Sequence, residues 1–281
     1  MRFLVLIILS GILWADPVVS SVQGNDSEVI FLAGGSDKEI IIGQQDRLDV
    51  SFTYEYLDPS SDYGSWKNFN LSYYQKYSKE LTLVYQVGFF NRNEGSATLF
   101  SLGGYKDWTP SLYTFSQLTV GTDSEYLPRY RLDHDFYYKF GERKQWVGIL
   151  GFTYIDYYDE HSDTIASVGM TYYAPKYNLT YRFFANNSDP GSVNSNTHLL
   201  SMGYGAEKEF WTYLDISYGN QAYQSTLIPG GLNVDNDAFD SKLSHRHWLT
   251  ENSGIFGAVG FFNLNDGYDK YLFQIGYFKE F

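Results

Sequence analysis

The sequence of 281 residues contains no cysteine. A disulfide framework and a lipid-modified cysteine are therefore both excluded, and with them a disulfide-stabilised domain and a lipoprotein anchor. After residue 15, no apolar run approaches the roughly 20 residues that a membrane-spanning helix needs. Basic residues are also scarce, with 20 Lys and Arg against 33 Asp and Glu. The resulting net charge of −13 argues against a nucleic-acid partner, because phosphate binding needs clustered basic residues.

Aromatic residues, in contrast, are abundant. They make up 19% of the chain and include 27 Tyr and 21 Phe. The mean hydropathy is nevertheless −0.33, which is typical of a polar protein. A closed β-barrel in a lipid bilayer reconciles the two values, because only alternate residues of each strand face the apolar phase. The composition therefore favours strands as the membrane-spanning elements.

The N-terminal segment MRFLVLIILSGILWA has one Arg, an apolar run from Phe3 to Leu9 and a small residue at Ala15. This pattern predicts a secretory signal peptide over residues 1–15, with a cut near Ser20 as the alternative. A membrane-anchoring helix is the other interpretation, although the apolar stretch is short for a span. Residues 16–45 are predicted to form a periplasmic leader segment.

From residue 46 to 281, short segments alternate apolar and polar residues and are separated by clusters of Gly, Asn, Asp, Ser and Pro. About 14 strands are expected, with about 12 as the alternative count. Short connections alternate with longer ones, the longest from Asn220 to Asp237, as in barrels whose termini are both periplasmic. We therefore predict an all-β fold, an antiparallel transmembrane β-barrel over 46–281, in the outer membrane of a Gram-negative bacterium. A soluble β-sandwich or a secreted barrel with an internal core is the alternative.

Aromatic residues near strand ends predict contacts with the membrane surface. Five tryptophans are expected to form interfacial girdles: Trp66, Trp108, Trp146, Trp211 and Trp248. The last segment, YLFQIGYFKEF, is predicted to be the final strand and to pair with the first. Its residues Tyr277 and Phe281 are the expected signal for a further partner, the barrel-assembly machinery.

The segment LPRYRLDHDFYYKF places charged residues on one face of a predicted strand. A charge that faces lipid costs about 2–4 kcal/mol at the bilayer midplane, so this face is expected to line the lumen. The lumen-lining candidates are Glu55, Tyr74, Arg129, Arg131, Asp133, Asp135, Tyr137, Arg182, Asp240, Lys242 and Arg246. Because opposite signs are interleaved, two interpretations remain open: a ladder of salt bridges that stiffens the barrel, or a charged constriction that selects a solute.

Two histidines, His134 and His198, share outward faces with apolar residues. Histidines at such positions are the basis for the hypothesis of a hydrolase that acts on lipid, although neither has a serine at a recognisable spacing. His245 and His247 could form a metal pair, but no third ligand is near, so interface anchoring is expected and no metal or other cofactor is predicted. Acidic loops such as NVDNDAFD lack the spacing of an EF-hand. They allow loose divalent bridging to lipopolysaccharide.

Four segments resemble the YaiO family of outer-membrane β-barrel proteins: DVSFTYEYLD, FNLSYYQKYSKELTLVYQVGFFNR, EYLPRYRLDHDFYYKF and LLSMGYGAEKEFW. The stretch from Pro128 to Arg131 is the most specific, and the resemblance covers residues 46–281. It implies an outer-membrane barrel of largely unassigned function, often encoded with surface-polysaccharide machinery. It carries over no catalytic residues. The high Tyr and Phe content and the acidic loops depart from the family pattern.

The leading functional hypothesis is a non-enzymatic barrel in contact with outer-membrane lipid and lipopolysaccharide. It would pass or anchor surface material, with polysaccharide as the candidate partner, because Tyr rings stack on sugar faces while their hydroxyls form hydrogen bonds. The alternatives are a lipid-directed hydrolase and a plugged structural barrel whose acidic loops bind a partner or divalent ions.

Overall fold

The computed structural model describes residues 45–60, 64–122, 124, 126–225 and 232–281. In these residues, fourteen strands form one closed antiparallel barrel in which each strand pairs with its neighbours in sequence. The strands are β1 (Arg47–Asp58), β2 (Ser65–Lys76), β3 (Leu81–Arg92), β4 (Gly95–Asp107), β5 (Leu112–Gly121), β6 (Tyr130–Phe140), β7 (Trp146–Asp156), β8 (Ser162–Ala174), β9 (Tyr177–Asp189), β10 (Val193–Ala206), β11 (Phe210–Ser225), β12 (Leu232–Thr250), β13 (Ser253–Leu264) and β14 (Asp269–Glu280).

This architecture confirms the predicted all-β barrel and its count of 14 strands. The alternative count and the β-sandwich are wrong. The described part of the chain contains no helix that is long and apolar enough to cross a membrane. Residues 1–44, which hold the predicted signal peptide and nearly all of the predicted leader segment, lie outside the described residues.

The barrel closes where β1 meets β14. The two strands are paired without interruption from Arg47 opposite Glu280 to Asp58 opposite Asp269. Beyond them, the Phe281 amide donates a hydrogen bond to the Asp46 carbonyl oxygen at 2.8 Å. Closure leaves no strand edge open along this seam, so an edge that could recruit another chain is removed. We call the end with Arg47 and Glu280 the periplasmic end, as the sequence predicts, and the opposite end the extracellular end.

The two faces of the barrel differ in the way that alternation predicts. On β14, Ile275 is outward and 68% exposed, whereas Phe278 is inward and 0% exposed. Large apolar side chains are exposed at outward positions of most strands, including Phe52, Leu150 and Val259. In water, an apolar surface this extensive would be unfavourable, but in a bilayer it is the face that contacts lipid.

The predicted long loop from Asn220 to Asp237 is mostly strand. Asn220 pairs with Asp237, and the β11–β12 pairing continues to Ser225 opposite Leu232. The Asn220 side-chain amide also donates to Asp235 at 2.6 Å. The alternation signal is weak in this part of the hairpin because most of its residues are polar and they occupy both faces, whereas backbone pairing continues. The two strands thus extend at the extracellular end.

The predicted tryptophan girdle is wrong for three of its five members. Trp66, Trp211 and Trp248 point inward and are 0%, 2% and 7% exposed, respectively. Trp108 is exposed, as a girdle residue would be, and Trp146 occupies an outward position of β7 and is half-buried. Position near a strand end does not fix the face, which depends on parity. The outward aromatic residues near the periplasmic ends of strands are largely tyrosines, such as Tyr138, Tyr204 and Tyr277.

Candidate functional site

The inward side chains form three layers along the barrel axis. The periplasmic aromatic layer lies where odd-numbered strands begin and even-numbered strands end, and its largest members are Tyr74, Phe115, Tyr137, Trp211 and Phe278. The extracellular aromatic layer lies at the other end and includes Trp66, Phe90, Tyr126, Phe262 and Tyr268. Between them, the central polar layer consists of charged, amide and hydroxyl side chains. All members of the two aromatic layers named here are buried.

The periplasmic aromatic layer is held by ring stacking and by cations that lie over its rings. The rings of Tyr113 and Tyr137 are parallel within 4°, with centroids 4.5 Å apart. On the opposite side, the Arg246 guanidinium lies 4.5 Å from the centroid of the Phe278 ring. Such cation–π contacts strengthen when both partners are shielded from water. The arrangement fixes Arg246 with its charged group facing the lumen side of this layer.

The central polar layer is built from ion pairs. Arg182 on β9 donates to both oxygens of Asp135 on β6, at 3.1 and 2.5 Å. Arg131 donates to both oxygens of Asp133, with two contacts of 2.8 Å. Bidentate guanidinium–carboxylate pairs of this kind are strong and directional. The pairing neutralises the charges of β6 within the lumen, as a salt-bridge ladder requires.

Further ion pairs involve the last three strands. Arg246 on β12 contacts Asp49 on β1 at 2.9 Å, and Arg47 approaches the other oxygen of Asp49 at 3.0 Å. Lys270 on β14, which is 0% exposed, lies 3.3 Å from Glu55. A buried ammonium needs such a partner because its desolvation is costly. These contacts join β1 to the strands that close the barrel.

Amide and hydroxyl groups extend the central polar layer between the ion pairs. Gln117 donates to the side-chain oxygen of Gln86 at 2.9 Å, and Gln86 donates to Ser72 at 3.3 Å. The chain of donors crosses β5, β3 and β2. Groups of this type can form hydrogen bonds with water or with solute hydroxyls when partners are exchanged. The central layer is therefore chemically hydrophilic throughout.

The extracellular aromatic layer includes residues from the connections between strands. Tyr126 and Leu127, which precede β6, are 3% and 2% exposed and pack against inward residues of β3 and β4. The Tyr126 hydroxyl donates to the Gly95 carbonyl oxygen at 2.9 Å. Arg92 is sandwiched between aromatic rings, 4.4 Å from the centroid of Tyr126 and 3.8 Å from that of Trp66. These residues cover the extracellular end of the lumen.

The connection between β7 and β8 adds a second cover. Burial, followed by the charge of Asp163, raises the pKa of the Tyr157 phenol well above its usual value, so this hydroxyl stays neutral. Nearby, burial alone would raise the pKa of Asp159. Hydrogen bonds from the His161 ring and backbone amide outweigh that effect, so the pKa of Asp159 is lowered. Asp159 therefore stays ionised and holds His161 in place.

The structure brings ten of the eleven lumen-lining candidates onto the inner face, where they are buried or half-buried. The exception is Arg129, which precedes β6 and has a side chain that is 52% exposed. It contacts Asp156, an outward residue of β7, at 2.5 Å, and its guanidinium lies over the outward ring of Tyr130. Arg129 lies two residues before Arg131, so continued alternation predicts an inward side chain. Because β6 begins only at Tyr130, alternation does not determine the direction of the Arg129 side chain. The expected assembly residues Tyr277 and Phe281 are both outward and exposed.

Sequence reasoning missed several charged members of the lumen. Lys270, Arg92 and Asp215 all point inward. For Lys270 a signal was present, because it shares its parity on β14 with Gln274 and Glu280. Arg92 shares its parity with Gln86 in the same way. For Lys270 and Arg92, a single charge near the end of a largely apolar strand does not by itself indicate a residue that faces the lumen.

The outward histidines have hydroxyl partners that the sequence did not reveal. The Nδ1 atoms of three histidines lie 2.7–2.8 Å from hydroxyl oxygens on neighbouring strands. The three pairs are His134 with Ser116, His198 with Tyr181, and His245 with Thr212. A polar group in hydrocarbon is costly unless it forms a hydrogen bond, so the repeated pairing satisfies each imidazole on the outer surface. In the part of the chain that the structure describes, no group of three or more His, Asp or Glu side chains is arranged to hold a metal ion.

Gly151 on β7 leaves the space that the Arg182–Asp135 pair occupies. A Cβ atom at this position would overlap Asp135 Oδ1, Arg182 Nη2 and the Ser167 hydroxyl. We expect Gly151→Ala to lower the free energy of unfolding by about 1–3 kcal/mol, the usual cost of overpacking. Denaturant unfolding of the barrel in detergent or liposomes, followed by tryptophan fluorescence, measures this change.

The matched control for Gly151→Ala is Gly148→Ala on the same strand. Gly148 is outward, and the nearest atom to an added Cβ would be 3.8 Å away. Both substitutions add the same methyl group to β7, but only the first displaces an ion pair. Equal stability losses for the two variants would contradict the packing argument.

Comparisons with known proteins were made by sequence and by structure. Residues 45–224 match the sequence profile of the YaiO membrane beta barrel domain. This segment contains β1 to β10 and all but the last residue of β11, so the profile does not reach the last three strands, to which the sequence resemblance was expected to extend. No curated protein sequence matches the chain.

Several solved structures share the barrel. The outer membrane protein Omp33 of Acinetobacter baumannii has 12% identity and a TM-score of 0.52, with 85% of this chain and 100% of that chain covered. The COG4313 outer membrane channel from Pseudomonas putida F1 has 11% identity and a TM-score of 0.52, with 88% and 100% covered. A bacterial polysaccharide outer membrane secretin has 9% identity and a TM-score of 0.53, with 83% and 98% covered.

At identities this low, the structural likeness establishes the fold. That fold is a closed antiparallel β-barrel, and together with the match to a membrane beta barrel domain it places the protein in the outer membrane of a Gram-negative cell. The sequence profile covers residues 45–224, which is well over half of the chain. The chain belongs to the YaiO family of outer-membrane β-barrel proteins.

Proposed function

We propose that the protein is a non-enzymatic outer-membrane channel for small saccharides, closed at both ends in the conformation described here. The observation that carries the proposal is the contrast between the layers of the lumen. Three charged side chains of the central polar layer, Asp135, Arg182 and Lys242, are only half-buried, although Glu55 and Lys270 in the same layer are buried, whereas the named members of the aromatic layers above and below are all buried. A hydrophilic chamber between two aromatic closures is the arrangement expected of a gated pore.

The chemistry of the lumen favours sugars over apolar solutes. Two cavities of about 30 and 80 Å³ lie in it, and hydroxyl, amide and charged side chains contribute to the lining of both, beside apolar groups. Space of this size holds several water molecules rather than a dry void. Tyrosine rings offer flat apolar faces with hydrogen-bonding hydroxyls at their edges, which suits the faces of sugar rings. Two of the structurally similar barrels are described as an outer membrane channel and a polysaccharide secretin, in keeping with this class of function.

The outward histidines support a non-enzymatic role. A catalytic serine would need a histidine base, and Ser116 lies 2.7 Å from His134. The other two outward histidines with a hydroxyl partner pair with Tyr181 and Thr212, so the motif recurs without a serine. Among the described residues, His134 has no carboxylate partner to orient it, and the neighbouring backbone amides are used in strand pairing. We therefore interpret these pairs as satisfied polar groups on a lipid-facing surface.

A liposome-swelling assay tests the proposal. Vesicles that contain the purified, folded barrel are expected to swell in iso-osmotic glucose and to swell more slowly as saccharide length increases. Empty vesicles and vesicles with heat-denatured protein are the controls, and the shift in gel mobility on boiling reports folding. A folded barrel that admits no sugar, even after its extracellular cover is removed as described in the Discussion, would contradict a channel and favour a structural barrel. Binding of polysaccharide without entry of any sugar would favour an anchor.

A further inference from the structure

Three adjacent turns at the periplasmic end of the barrel form one continuous surface. They are the β4–β5, β6–β7 and β8–β9 turns. The Lys144 ammonium donates to the Pro110 carbonyl oxygen at 2.8 Å and joins the first two turns. The Tyr173 amide donates to the Gln145 carbonyl oxygen at 2.8 Å, where the second turn meets the end of β8. We call these three turns, with the strand ends beside them, the basic rim.

Cations outnumber carboxylates in the basic rim. Its charged residues are the cations Lys106, Lys139, Arg143, Lys144 and Lys176 and the carboxylates Asp107 and Glu142. The excess is therefore three positive charges, in a chain whose net charge is −13. Lys139 points inward and lies 4.7 Å from the centroid of the Tyr113 ring, so it adds to the local field and not to the outer surface. The other four cations belong to the outer side of the rim.

The turns on either side of the basic rim do not cancel this excess. The β2–β3 turn is neutral, with Lys76, Lys79, Glu80 and, beside them, Asp46 as its charged residues. The β10–β11 turn is acidic, with Glu207, Lys208 and Glu209, and Lys208 forms an ion pair with Glu280. The positive surface is thus confined to the part of the periplasmic end that β4 to β9 form.

An outward aromatic cluster borders the basic rim on its membrane side. The rings of Tyr138 and Phe140 on β6 stack with centroids 6.5 Å apart. On the next strands, the ring of Trp146 lies 4.6 Å from that of Tyr172, which lies 6.3 Å from that of Tyr177. Aromatic side chains of this kind collect at the level of the lipid headgroups. The turns that follow them are therefore at the depth of the lipid phosphates.

Two cations of the basic rim are fully accessible at this depth. Arg143 and Lys176 are both exposed, and each lies in a tight turn between two strands. The Arg143 amide donates to the side-chain oxygen of Gln145 at 3.0 Å, which holds the β6–β7 turn in one conformation. A guanidinium can donate two parallel hydrogen bonds to a phosphate, and an ammonium supplies a compact charge. Both side chains are long enough to reach a phosphate beside the turn.

We propose that the basic rim binds anionic phospholipid of the periplasmic leaflet, with Arg143 and Lys176 in contact with the phosphate group. A lipid matches both features of the surface, because its chains lie against the aromatic cluster while its phosphate meets the cations. An acidic periplasmic protein would use the cations alone. The proposal does not rest on the channel function, because the contact lies on the outer surface of the barrel.

Electron paramagnetic resonance of spin-labelled lipids tests the proposal. The folded protein is reconstituted in phosphatidylcholine liposomes with a trace of spin-labelled phosphatidylglycerol or, separately, of spin-labelled phosphatidylcholine. The immobilised fraction of each label gives the association constant of phosphatidylglycerol relative to phosphatidylcholine. We expect this ratio to be at least about two at low salt. It should fall toward one in about 1 M NaCl, because salt screens exposed charges.

A double variant and a matched control locate the site. Arg143→Gln combined with Lys176→Gln is expected to remove at least about half of the preference for phosphatidylglycerol. The control combines Lys67→Gln, near the extracellular end of β2, with Lys279→Gln on β14, and also removes two exposed cations. The two variants have the same net charge, so only a local site distinguishes them. The control should keep the preference of the parent protein.

Gel mobility before and after boiling confirms that each protein is folded. A ratio of one for the parent protein would overturn the proposal and favour an acidic periplasmic protein as the partner of these cations. Equal losses in the two double variants, or an unchanged ratio in the Arg143 and Lys176 variant, would overturn it as well. None of these measurements depends on sugar entry, so failure of the swelling assay would contradict the channel and leave the lipid site intact.

Discussion

Replacing Tyr126 and Leu127 together by alanine is expected to raise the rate of sugar-driven liposome swelling several-fold. Both side chains are buried over the extracellular end of the lumen, where the Tyr126 hydroxyl reaches the Gly95 carbonyl oxygen at 2.9 Å. Alanine at both positions removes an aromatic ring and an isobutyl group from the cover without touching any strand. A wider opening should admit larger saccharides as well as increase the rate.

The control for this variant is Tyr218→Ala. Tyr218 belongs to β11 and is outward and exposed, so its removal changes the membrane surface and not the lumen. Single-channel recording in planar bilayers gives a second measure, in which the double variant should show larger or more frequent current steps than the parent protein. If the folded double variant conducts no better than the parent protein, Tyr126 and Leu127 do not close the lumen.

Lys270→Met is expected to lower the free energy of unfolding by about 3–5 kcal/mol, the usual cost of leaving one member of a buried ion pair without its partner. Lys270 is 0% exposed and lies 3.3 Å from Glu55, which is 3% exposed. Without the ammonium of Lys270, the Glu55 carboxylate at the seam between β1 and β14 loses the cation that contacts it. Denaturant unfolding in liposomes measures the loss.

Two further variants separate the ion pair from general effects of the substitution. Lys279→Met makes the same change on the same strand at an outward, exposed position, and should alter stability little. Adding Glu55→Gln to Lys270→Met removes the carboxylate charge and should restore part of the lost stability, the rest being lost because Arg92 also interacts with the Glu55 charge. Equal losses from Lys270→Met and Lys279→Met, or no recovery in the double variant, would show that the pair does not stabilise the seam.

The barrel could be predicted from the sequence because its physical rule is local. On β6, three charges at alternate positions, Arg131, Asp133 and Asp135, can avoid lipid only by facing inward, whatever the rest of the chain does. By the same rule Glu55 and Arg182 were expected in the lumen, and in the structure both side chains lie on the inner face. Alternation therefore determined both the strand count and the face of most candidates.

Other features could not be predicted because they depend on register between strands. Arg182 and Asp135 are 47 residues apart, and they meet only because β6, β7, β8 and β9 pair in succession in a fixed register. Trp66 and Trp211 were placed in girdles because a position near a strand end suggests the interface, whereas their parity places both inside, where the Arg92 guanidinium lies over the Trp66 ring. The extension of the β11–β12 hairpin into residues 220–237 was assigned to a loop because its many polar residues weaken the alternation that marks a strand.

The ion pairs also divide the chain at the limit of the family match. Three cations on β12 and β14, Lys242, Arg246 and Lys270, contact three carboxylates that lie within residues 45–224. An assembly intermediate that still lacks the last three strands would therefore leave Glu55 and Asp215 without the cations that they contact in the finished barrel. The final strands thus complete the ion pairs of the lumen as well as its wall. The order in which strands are added therefore affects the charge of an intermediate as well as its shape.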